Sequence, residues 1–163
     1  MKPRFYERGT SMVETAIVLG VFLVMVFGII DFSRLIYTYH LVGNAARLGA
    51  RFAMVRGATC IHTAPGTDPW PCPIAPPDSS GEIQQFVQSQ SVLLGGGTLS
   101  VTPSWSGTDA GGDPYPGCAS PSPYNGPGCP VSVTVTYTFN FLAPFVSTVS
   151  IPISSTSVMV ISQ

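Results

Sequence analysis

Apolar and polar positions follow three different patterns along the chain, and each predicts a different element. Residues 12–30 (MVETAIVLGVFLVMVFGII) carry one charge, Glu14, near the front, and are otherwise an almost unbroken apolar run. Such a run predicts a helix in an apolar medium. At ~1.5 Å per residue it spans roughly 28 Å, about the thickness of a bilayer core. From Phe32 the pattern becomes amphipathic with no intervening turn signal. Leu41, Ala45, Leu48, Phe52 and Val55 follow steps of four and three and are expected on the buried face. His40, Asn44, Arg47 and Arg51 repeat those steps on a polar face. Ala45, Gly49 and Ala53 form a small-residue ridge that lets another helix or a sheet approach closely. Asp31 and Arg34, three apart, are placed to pair across one turn. One helix over residues 10–56 is predicted, roughly 70 Å long.

The remaining pattern reads as a small head. Residues 57–79 hold six prolines and end the helix. Ser79-x-x-Glu82 is a capping box opening a short helix to about residue 94, with Ile83, Phe86 and Val87 on its apolar face and Gly95–Gly97 ending it. Leu99, Val101, Pro103 and Trp105 alternate with Ser100, Thr102 and Ser104, a strand that Pro103 confines to a sheet edge. Residues 106–130, with six prolines and six glycines, form a second long loop. Val131, Val133, Val135, Tyr137, Phe139 and Phe141 then alternate with polar residues, predicting a strand with one buried face that Pro144 breaks. Residues 151–161 return as a third strand, with Ile151, Ile153, Met159 and Ile161 in one phase and Val158 and Val160 in the other. Three strands with one apolar face need a cover, and the outer half of the long helix is the natural candidate. The expected fold class is α+β, a lollipop of one long helix, one short helix and a three-stranded antiparallel sheet.

Charge changes this picture in one respect. All seven Lys and Arg lie at or before Arg56, and beyond it only acids remain. A head without a basic residue lacks the phosphate-neutralising side chains that nucleic acids require, which excludes them as partners. The four cysteines fall as two local sets, Cys60/Cys72 and Cys118/Cys129, in polar Pro/Gly-rich loops. Four cysteines allow three pairings; two local disulfides are the reading taken, implying an oxidising compartment. Neither set has C-x2-C spacing, and Asp109 and Asp113 are too few for a calcium loop, so no metal or cofactor is expected. No nucleophile–base pair or phosphate loop is present, and the chain is read as a non-enzyme. Trp70, Tyr115 and Tyr124 are candidates for an aromatic contact surface on the loops, with a plain variable surface as the alternative.

The first nine residues carry Lys2, Arg4 and Arg8 and no apolar core. A secretory signal has its apolar region before the cleavage site; here the polar leader comes first. A cut between Gly9 and Thr10 would leave the apolar segment on the mature chain and make Glu14 its fifth residue. An ionisable group at the edge of a membrane helix is costly unless partnered. The new α-amino group of a neighbouring subunit, one turn away, is the partner favoured; snorkelling of Glu14 to the interface is the alternative. The basic leader favours a cytoplasmic N-terminus.

These residues resemble the class III prepilin leader and the TadE-like module of tight-adherence (Tad) pilus systems. The resemblance rests on Gly9, Glu14, the apolar run, Gly28-Ile29-Ile30-Asp31-Phe32-Ser33-Arg34, and Asn44-Ala45-Ala46-Arg47-Leu48-Gly49-Ala50-Arg51, about 45 residues in all. The chain departs from the pattern at Gly20, where relatives often carry Pro, and at Leu48, where an acid is common. The resemblance implies a leader over 1–9, a helix over 10–56 with an apolar half (12–30) and an amphipathic half (31–56), and an extracytoplasmic head over 57–163. It implies a pilin-like subunit, a minor one, cut by a prepilin peptidase and assembled with other pilin subunits through its helix. Glu14, Asp31, Arg34, Asn44, Arg47, Gly49 and Arg51 would be the assembly residues. The expected location is the inner membrane with its assembly platform, then the surface pilus. The alternatives are a main filament subunit, although Tad major pilins are typically much shorter, and an uncleaved single-pass anchor of the assembly platform.

Overall fold

A computed structural model describes residues 7–58, 81–90, 99–108, 112–116, 118, 124–143 and 148–162. Its elements are α1 (Glu7–Met54), α2 (Glu82–Gln90), β1 (Leu99–Ser104), β2 (Pro130–Asn140) and β3 (Ser150–Val160). The three strands form one sheet in the order β1-β2-β3, as the α+β expectation requires. The expected capping box at Ser79, the glycines at 95–97 and the Cys60/Cys72 loop lie outside the described residues. α1 begins three residues before the expected start, so the Gly9–Thr10 bond lies inside its first turns. It ends at Met54 rather than Arg56, a difference of the size helix ends ordinarily show.

The chain divides into two compact units: Met1–Tyr37 with Asn140–Ser150, and Thr38–Phe139 with Ile151–Gln163. The second contains the sheet and the hydrophobic core. In β2, Val131, Val133, Val135 and Phe139 are buried, while Ser132, Thr134, Thr136 and Thr138 are half-buried on the other face. β1 pairs with it antiparallel in the register Val101↔Val135, which puts Leu99 and Val101 on the same inner face. Pro103, opposite Val133, sits on the outermost strand, where its missing N–H breaks no ladder. β3 turns Ile153 inward, and Val158 and Val160 are exposed; Ile151, in the same phase as Ile153, is exposed at the strand's start. Beyond β3, Ile161 continues the pairing, exchanging backbone bonds with Cys129 and Gly128. The next amide, Ser162, donates to the Met54 carbonyl, one of the acceptors a helix end leaves unsatisfied.

The cover is the Thr38–Met54 part of α1, and here the phase differs from expectation. Val42, Ala45, Ala46, Gly49, Ala50, Phe52 and Ala53 are buried, whereas Leu41 and Leu48 are half-buried and Val55 is exposed. The small-residue ridge, rather than the stripe of large residues, faces the core. The reason is distance. A Cβ on Gly49 would lie 3.0 Å from both Val133 Cγ1 and Val87 Cγ2, so helix, sheet and α2 meet at backbone range. α2 contributes Ile83 and Val87 to the same core, and Phe86 stacks on Phe52 with ring centroids 3.9 Å apart. Arg56 lies over the Phe52 ring at 4.0 Å, adding a cation–π contact.

Candidate functional site

The candidate site is the surface of α1. In the first unit most of its large apolar side chains point outward: Met12 is 78% exposed, Val21 64% and Met25 65%. The segment is long and apolar enough to cross a membrane. Two of its hydroxyls are satisfied within the helix, Thr15 on the Ser11 carbonyl and Ser33 on the Ile29 carbonyl, both at 2.8 Å. Such back-bonding removes the cost a free hydroxyl would carry in hydrocarbon. Glu14 stands exposed among these apolar residues and has no partner among the described residues.

Asp31 is the exception on this surface. It is 4% exposed, and its Oδ1 accepts from the Arg34 guanidinium at 3.0 Å. The Leu142 amide is shared between the two carboxylate oxygens at 3.1 and 3.2 Å, and the Ala143 amide reaches Oδ2 at 3.0 Å. Within this unit Asp31 therefore ties the start of the β2–β3 connection to α1. Val24, Phe27 and Leu35 from the helix and Phe141 and Ala143 from the connection enclose an apolar groove of about 410 Å³ beside it. The i,i+3 pair was legible from spacing. The amide donors, more than a hundred residues away, have no side-chain signature. This tether inside the chain occupies the Asp31 carboxylate.

In the second unit His40, Asn44, Arg47 and Arg51 are exposed, as the polar phase predicts. Among the described residues no carboxylate pairs with Arg47 or Arg51. Gly49, on the small-residue ridge, is buried against Val133 and Val87.

The loop candidates are placed in part. Cys118 and Cys129 form a disulfide with Cα atoms 4.4 Å apart, pinning the second loop to the start of β2. The Tyr115 amide donates to the Gly107 carbonyl, and the Tyr124 ring lies on Gly107 itself, where a Cβ would come within 2.6 Å. Gly107 also has φ +67, so both backbone and space demand glycine there. Both tyrosines are half-buried, with Tyr124 acting as an internal strut of the loop. Trp70, Cys60, Cys72 and Asp109 lie outside the described residues. Among the described residues no three His, Cys, Asp or Glu side chains gather as metal ligands would.

No curated protein and no solved structure matches the chain. Residues 9–51 match the model of the family described as TadE-like protein. The matched stretch contains Glu14, the exposed apolar run, the Asp31 tether and the Gly49 contact. Over this helix the chain is similar to the TadE-like family.

Proposed function

We propose that the chain is a pilin-like structural subunit, a minor pilin of a Tad-type pilus, cut between Gly9 and Thr10 by a prepilin peptidase. The TadE-like match supports a Tad-pilus-associated protein. The observation that carries the finer reading is Glu14, an exposed carboxylate among outward-facing apolar side chains with no partner among the described residues. A carboxylate in such a medium needs a cation, and the α-amino group of a neighbouring processed subunit is one of matching position. Before assembly the apolar run holds the chain in the inner membrane with the head outside the cytoplasm, where the Cys118–Cys129 disulfide forms and persists. Arg47, Arg51 and Asn44 then face other subunits. Glu14→Ala tests this. The variant should remain in membranes at wild-type level and disappear from sheared surface filaments. Unchanged incorporation would contradict the assembly role and favour an anchor.

A further inference from the structure

The β2–β3 connection has the wrong composition for a loop in water. Residues 141–149 read Phe-Leu-Ala-Pro-Phe-Val-Ser-Thr-Val, without a charge, and Leu142 and Val149 are 59% and 48% exposed. Surface connections ordinarily carry polar side chains. We propose that the start of this connection, Phe141, Leu142 and Ala143, is a second membrane contact, seated in the outer leaflet beside α1, and that a phospholipid acyl chain fills the adjoining groove. The proposal rests on the reading of the apolar run as a membrane span.

Depth is fixed by the groove. Phe141 and Ala143 share its wall with Val24 and Phe27, which lie inside the apolar run. Val24 precedes Asp31 by seven residues, about 10 Å along the helix. The connection therefore starts alongside the last two turns of the span. A backbone entering hydrocarbon must bring acceptors for its amides, because no water is there to supply them. Asp31 does this for Leu142 and Ala143, with contacts of 3.0 to 3.2 Å. Arg34 compensates the carboxylate, and its side chain, 47% exposed, can extend to the headgroups as basic residues at an interface do. Phe32 and Tyr37, 64% and 53% exposed, supply the aromatic residues typical of that level. A buried carboxylate, irregular backbone and uncharged loop thus have a single explanation in lipid as the surrounding medium.

The test uses the full chain in vesicles of phosphatidylethanolamine and phosphatidylglycerol at low protein-to-lipid ratio. Photoreactive p-benzoylphenylalanine replaces, one at a time, exposed residues Leu142, Val21 in the span and Val158 on the sheet, positions chosen because none is buried. The expected result is a lipid adduct at 21 and 142 and none at 158. An adduct at 21 without one at 142 overturns the proposal while leaving the span intact. Absence at both positions overturns the span reading and the proposal with it. A protein–protein adduct at 142 in place of lipid overturns it in favour of a second copy on the groove. Equal lipid labelling at 142 and 158 overturns it too, since the connection would then be no closer to lipid than the sheet.

Discussion

The two parts of α1 share a backbone and have opposite surfaces. Up to Tyr37 the large apolar residues are exposed, and the one buried residue from Ser11 onward is an acid. From Thr38 the buried residues are mostly small and the exposed ones include His40, Asn44, Arg47 and Arg51. The reversal sets apolar side chains outward in one part and polar ones outward in the other. The second part follows the rule for water, with its apolar face on a core. The first has the surface suited to hydrocarbon, with Asp31 paired inside and apolar side chains outside, Glu14 being the exposed exception. One helix thus presents two kinds of surface, and the TadE-like match extends across both.

The comparison breaks most sharply if the same substitution is made in both settings. Val21 and Val158 are exposed to a similar degree, 64% and 60%. Val21→Arg should cost about 3 kcal/mol of membrane insertion, roughly a hundredfold in partition. Val158→Arg should change stability by less than about 0.5 kcal/mol. Membrane fractionation and denaturant unfolding read the two outcomes. Equal effects would mean the two surfaces meet the same medium. A smaller effect distinguishes the packed glycine from an open one. Gly49→Val should destabilise the head by about 2–3 kcal/mol, because its Cβ already meets two side chains and overpacking cannot be relieved there. Gly20→Val, with nothing within 4 Å of its Cβ, should leave the unfolding midpoint within about 0.5 kcal/mol of wild type. Smallest is the arginine contrast. Arg56→Ala should lose about 0.5–1 kcal/mol with its contact to Phe52. Arg47→Ala, on the exposed face, should leave head stability unaltered in the same unfolding assay.

What was legible in the sequence divides along physical lines. The apolar run, the phase of β2 and the edge position of Pro103 depend on local pattern, and all three are present. On the face expected to be buried, Ala45 and Phe52 are buried, while Leu41 and Leu48 are only half-buried and Val55 is exposed. Hydrophobic weight favours those, but where a Cβ on Gly49 would already meet Val133 and Val87 at 3.0 Å, the contact admits only small residues. The ridge was visible; that it outranked the larger stripe depended on a distance no periodicity encodes. The Asp31 tether was hidden for a different reason. Its donors are backbone amides, which every residue but proline carries, so Leu142 and Ala143 mark nothing in sequence. The apolar composition of the connection they begin is the one signal pointing to it.

The measurement that bears most directly on the account is the intact mass and N-terminal sequence of the protein recovered from cell envelopes and from sheared surface material. The account predicts a chain beginning at Thr10 in the sheared fraction. A chain beginning at Met1 and confined to the envelope would contradict it and leave a membrane anchor. A Met1 start in sheared filaments would contradict the cut and, with it, the pairing assigned to Glu14.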